Sequence, residues 1–150
     1  MSICVHAASE RRQEVEAMKV GKLQSAIVSI AELIDCLRPT NDSPYSIERY
    51  IEIFALSPVV FANHVAAYSC SQPDATCTSY VETTQRFIAD VLRVILVVAE
   101  SGVAVERAIT WFRFEPLPPF EHQTAEQLVS QGQVERVLQF LASWQAGSQG

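Results

Sequence analysis

Apolar side chains at Val15, Met18, Val20, Leu23, Ile27, Ile30, Ile34 and Leu37 recur mostly at three- and four-residue steps. That is the spacing of a helix with one buried face, so residues 12–37 are predicted helical, with Gly21 a local weak point. Two prolines and four turn formers in Arg38-Pro39-Thr40-Asn41-Asp42-Ser43-Pro44 end it and mark a boundary. Ser46 then precedes Ile47, Tyr50, Ile51 and Phe54, a short helix with Glu48 in its first turn. Ser57-Pro58 is a cap followed by proline at the first helical position, and Val59, Val60, Phe61, Val65 and Ala66 supply the next apolar face. Residues 68–79 are polar and turn-rich and read as a loop, or at most a poorly formed helix.

The strongest pattern runs over residues 80–101. Val81, Thr84, Phe87, Ile88, Val91, Leu92, Ile95, Leu96 and Ala99 form a wide stripe that Val94, Val97 and Val98 extend almost around the helix. Such a helix belongs in a core or a dimer seam, and Gly102 supplies its left-handed cap. Residues 105–112 read as another helix, and the prolines of residues 115–120 as a rigid extended loop. Thr124 with Gln127 forms a capping box, Gly132 interrupts, and Val134, Val137, Leu138 and Leu141 line a last helix. With no strand alternation and no internal repeat, the predicted class is all-α.

Composition narrows what such a chain can do. At 150 residues with 49% hydrophobic and 19% charged side chains, it can bury one proper core. The most apolar stretch, residues 87–99, carries Asp90 and Arg93 and is too short for a bilayer, so a buried helix is expected there. The first ten residues lack a basic region followed by an apolar run, which points to the cytoplasm. Four cysteines (Cys4, Cys36, Cys70, Cys77) are scattered, the closest pair having six residues between them. A zinc knuckle uses about two to four, so free and mostly buried thiols are expected. His6, His64 and His122 have no partner at metal spacing, and neither a nucleophile elbow nor a glycine-rich phosphate loop occurs. No cofactor, metal or enzymatic activity is expected.

The final third carries the informative order: Ala108-Ile109-x-Trp111-Phe112, Glu115-Pro116-Leu117-Pro118-x-Phe120, Thr124-Ala125-Glu126-x-Leu128-Val129-x-x-Gly132 and Val137-Leu138-x-x-Leu141. Taken together, these fragments closely resemble the toxin-binding domain of Xre/MbcA/ParS-type antitoxins, and the likeness covers about two-thirds of the chain. The chain departs from the family in having Glu121-His122 where a glycine pair is usual, and Thr124-Ala125 where Thr-Pro is common. The resemblance implies a helix-turn-helix-like part at residues 43–101, a toxin-binding part at 102–145 and a flexible tail at 146–150. Residues 1–42 match nothing in the family.

The partner that this resemblance implies is a RES-type toxin, a small enzyme that consumes NAD, held inactive by an antitoxin that covers its active site. A homodimer joined through the N-terminal half is also expected, with residues 87–99 as seam or core. Docking of this kind needs preorganised aromatic and arginine anchors, and the candidates are Arg113, Phe114, Leu117, Phe120, Arg136, Phe140 and Trp144. Trp111, beside a loop, is expected to be core. Two rivals stay open, an Xre-type DNA-binding regulator and a helical adaptor for some other protein. Against the regulator stand the net charge of −6 and the absence of any Lys or Arg between Arg49 and Arg86, where a recognition helix would lie.

Overall fold

Seven α-helices and one 3-10 turn make up the computed structural model, which describes residues 29–73 and 79–148. They are α1 (Ile30–Leu37), α2 (Ile47–Ile53), α3 (Pro58–Ser71), α4 (Tyr80–Glu100), α5 (Val105–Phe114), the 3-10 turn (Pro118–Phe120), α6 (Ala125–Ser130) and α7 (Val134–Ser148). The fold is all-α. The predicted helical stretch before residue 29, Cys4, Cys77, His6 and the last two residues of the tail lie outside the described residues.

Local chemistry sets most boundaries. The side chains of Ser29, Ser46, Ser57, Ser79 and Thr124 each accept a hydrogen bond from an amide in the first turn of the helix that follows. Ser79 with Glu82, and Thr124 with Gln127, complete reciprocal capping boxes. Gly102, at φ +98°, closes α4 and turns the chain into α5. Residues 38–45 are fastened to α4 by Gln85, whose Oε1 accepts from the Tyr45 amide at 2.7 Å while its Nε2 donates to the Tyr45 carbonyl at 3.0 Å.

The stripe on α4 makes it the hub. Phe87, Ile88, Val91, Leu92, Val94, Ile95 and Val98 are buried within the chain itself, and α1, α3, α5, α6 and α7 all pack on this helix. The 87–99 segment is therefore core and is not free to serve as a dimer seam. Val81, placed on the stripe by spacing, is exposed because it precedes the packed turns.

An aromatic cluster joins the first half to the second. Tyr50 stacks on Phe54 at 4.3 Å, Phe61 and Tyr68 lie 6.1 and 5.5 Å from Phe87, and Phe54 meets Phe112 of α5 edge-on at 6.2 Å. Each such pair adds roughly 0.5–1.5 kcal/mol beyond its buried area.

The α3 helix corrects two expectations. It continues through Tyr68 to Ser71, where low propensity predicted a loop, because tertiary contacts override propensity. Tyr68 buries its ring against Phe87 and donates its hydroxyl to Asp90 Oδ2 at 2.7 Å, while Ser71 Oγ bonds back to the Tyr68 carbonyl. Its buried stripe is Phe61, Val65 and Tyr68, so Val59, Val60 and Ala66 lie on the outer side. Cys36 and Cys70 are free but exposed, contrary to the expected burial. No single helix among the described residues is long and apolar enough to cross a membrane; α2 and α3 pass that test only as a pair, bent by 112°.

Candidate partner-binding surface

The C-terminal elements fold as one continuous unit in which α5, α6 and α7 pack in sequence and each also meets α4. Within it Ala108, Ile109, Phe112, Leu117, Ala125, Leu128, Val129, Val137 and Leu141 are core. Most of the apolar positions of the sequence pattern thus hold the unit together, and the residues left outside define its surface.

The connector between α5 and α6 is a closed loop and not the extended segment expected from its prolines. Leu117 N donates to Gln123 O at 3.0 Å, and Phe120 N and His122 N both donate to Leu117 O. Pro118–Phe120 forms a 3-10 turn, and Glu121 and His122 follow with φ of +59° and +63°. Two consecutive left-handed residues are the reason a glycine pair suits this position, since a Cβ there is strained.

Burial sorts the predicted site residues. Phe114 and Trp144 are 63% and 56% exposed. Phe120 and Phe140 are half-buried and meet edge-on at 5.8 Å, and Arg136 lies over the Phe120 ring at 5.1 Å while donating to Gln133. Arg136, Phe140 and Trp144 stand at successive i, i+4 steps on α7 and so share one face. The structure therefore brings Phe120, Arg136, Phe140 and Trp144 into one aromatic–cationic strip. Beside it, Pro119, Phe120, Gln123, Gln131, Gln133 and Arg136 line a depression of about 230 Å³.

Phe114 belongs to a second patch at the end of α5, an open groove of about 640 Å³ shared with Val103, Thr110 and Trp111 and rimmed by Glu106, Arg107 and Glu115. Trp111 is only half-buried. The core anchor is its neighbour Phe112, which takes the inward register of α5 with Ala108 and Ile109.

Two candidates are claimed by the fold itself. Leu117, only 2% exposed, packs into the core beneath the loop and supports the surface without being part of it. Arg113 turns inward: Nε donates to Glu126 Oε2 at 3.3 Å and Nη1 donates to the carbonyls of Phe54 and Ala55 in the turn between α2 and α3. The resemblance sets it among the partner-facing anchors, but the turn between α2 and α3 and the buried Glu126 capture it.

Around this ion pair lies a polar cluster that spacing did not reveal. His64 Nε2 stands 4.0 Å from Glu126 Oε1, while His64 Nδ1 and the hydroxyl of fully buried Tyr50 have no hydrogen-bond partner among the described residues. Burial raises the Glu126 carboxyl above its ordinary value against the opposing pull of Arg113. Burial, reinforced by the Arg113 charge, lowers the His64 imidazole below its own. Such a site keeps His64 neutral. A glutamate in the first turn of a capped helix reads as a solvated, dipole-favourable charge, so only the packing of α3 and α5 around α6 exposes the arrangement.

No group of three or more His, Cys, Asp or Glu side chains able to hold a metal occurs among the described residues. Comparisons of the chain with family models, curated proteins and solved structures return no match.

Proposed function

We propose that this chain is an antitoxin that binds and neutralises a RES-type, NAD-consuming toxin by covering its active site, and that it performs no reaction itself. One observation carries the reading: large aromatic and cationic side chains on the C-terminal unit stay outside a core that the same sequence pattern fills. The Phe120–Arg136–Phe140–Trp144 strip joins rigid aromatics to an arginine, the residue types that dominate interface energetics. Because the loop beneath it is closed by its own hydrogen bonds, little conformational entropy is lost on docking. Support from outside the geometry comes from the resemblance of residues 108–141 to the toxin-binding domain of Xre/MbcA/ParS-type antitoxins. Two copies pair through the N-terminal half.

Reading the adjacent reading frame for a RES-type toxin and co-expressing that toxin with this chain tests the proposal. Growth rescue and co-purification are expected, and Trp144→Ala with Phe140→Ala should abolish both while leaving helix content unchanged. A toxin that stays lethal and fails to co-purify with the intact chain overturns the reading.

A second reading has one observation of its own. The 112° bend between α2 and α3, joined by the four residues 54–57, matches a helix-turn-helix, whose helices cross at about 90–120°. A DNA-binding regulator would present α3 to the groove, yet from Ile53 to Pro73 the chain carries no Asp, Glu, Lys or Arg. Without cations the phosphate term is missing. Salt-dependent, sequence-specific retardation of its own promoter by the free protein would favour this reading over the first.

A further inference from the structure

We propose that Arg113 couples the exposed aromatic end of α5 to the turn between α2 and α3, so that a partner covering Phe114 stiffens that turn without touching it. One guanidinium spans the distance. Its outer face lies over the Phe114 ring at 4.7 Å, and that ring is 63% exposed. Inward, Nη1 holds the Phe54 and Ala55 carbonyls and Nε holds Glu126, whose second oxygen faces His64 on α3. The turn has reason to need holding, because Ala55 sits at φ +53°, a left-handed conformation that a residue with a Cβ adopts under strain.

The sign of the coupling follows from dielectric. Phe114 is the lid between this guanidinium and water. When a partner buries the ring, the local dielectric falls, and the charge-assisted bonds from Arg113 to the carbonyls and the carboxylate strengthen. The amides that report on it are Ala55 N, bonded to Glu52 O at 3.3 Å, and Leu56 N, bonded to Ile51 O at 3.0 Å. Coupling is reciprocal, so whatever holds α2 and α3 in place also prepares the α5 end for docking. The trigger extends the docking reading above from the α7 strip to the Phe114 patch at the end of α5, and the mechanical link does not depend on it.

Amide hydrogen exchange by NMR on the full chain tests the link without any partner. Phe114→Ala removes an exposed ring and leaves the core intact; it should speed exchange at Ala55 and Leu56 by about two- to fivefold, the equivalent of an exposed cation–π contact. Exchange at Leu141 on α7 should stay unchanged, and Phe114→Trp should restore the native rates at the turn. Unchanged rates at Ala55 and Leu56 in Phe114→Ala overturn the coupling, as does a uniform acceleration that includes Leu141. Toxin binding by the same variant separates the two ideas. Lost binding with an unchanged turn removes the coupling and keeps the docking role, whereas a loosened turn with retained binding keeps the coupling and removes Phe114 from the interface.

Discussion

At the scale of single residues, the backbone and the charges make opposite demands on side chains near the surface. Ala55, Glu121 and His122 all occupy left-handed φ without being glycine. Neither Glu121 nor His122 makes a side-chain bond in the described structure that would require its identity, so the loop carries strain that glycine would relieve. Replacing either by glycine should stabilise the fold by about 0.5–1 kcal/mol, a rise in melting temperature of about 1–4 °C, measurable by thermal unfolding. Gly132 shows the converse, because at φ +76° an added Cβ would also stand 2.7 Å from Ser71 Cβ, and Gly132→Ala should lower the melting temperature. The charges of the inner cluster give a pH dependence. The folded His64 has a lowered pKa, so its contribution is intact above the ordinary value near 6.5 and is lost as pH falls from there through its folded value. Glu126 is raised, so its contribution is fully present below its ordinary pKa and is lost as pH rises through its folded value. The two oppose each other on mild acidification. Urea titrations from neutral pH down to the ordinary glutamate value near 4.5 should therefore show a steeper acid loss in Glu126→Gln than in the native chain, and a shallower one in His64→Gln.

At the scale of elements, caps decide where helices begin and tertiary contacts decide how far they run. Thr124 Oγ1 accepts from the Gln127 amide at 3.2 Å, and Gln127 Oε1 accepts from the Thr124 amide at 3.0 Å. Because α6 spans only six residues, it has little else to nucleate it. Thr124→Ala should cost about 1 kcal/mol in chemical denaturation and loosen the loop carrying Phe120. Such starts are legible in a sequence, since a serine or threonine before an apolar run has one local meaning; Ser46, Ser57 and Thr124 behave as read, and Ser79 caps α4 by the same rule. What spacing does not disclose is which side of an apolar helix wins the core. On α3 both sides are apolar, and only the aromatic cluster around Phe87 selects Phe61, Val65 and Tyr68 over Val59, Val60 and Ala66. The same limit hid the inward turn of Arg113 and the exchange of roles between Trp111 and Phe112. By contrast, Arg136 and Trp144 fall off the stripe that Val134, Val137, Leu138 and Leu141 set on the last helix, so their exposure follows from spacing, whereas Phe120 and Phe140 are half-buried.

At the scale of the whole molecule, the outer side of α3 is the feature that chain-internal packing leaves unexplained. Val59 is 69% exposed and Val60 40%, and Ala62, Ala66, Ala67 and Cys70 are exposed beside them. A helix that is apolar all round is normally covered. The surrounding stretch from Ile53 to Pro73 carries no Asp, Glu, Lys or Arg in a chain of net charge −6. Two copies of so acidic a chain repel wherever charged faces meet, but a neutral face is compatible with itself, and a twofold contact requires that self-compatibility. Small side chains at Ala62, Ala66 and Cys70 also permit close approach of the two helices. We therefore expect the native chain to be a dimer by light scattering coupled to size exclusion, and Ala66→Glu to be a monomer of unchanged helix content whose melting temperature no longer depends on concentration. Glutamate is a good helix former, so on an exposed turn the substitution leaves the fold intact while placing like charges across the twofold. A monomeric native chain at its highest soluble concentration, or an Ala66→Glu variant that remains dimeric, would remove this face from the assembly and leave toxin binding by the C-terminal strip to be judged alone.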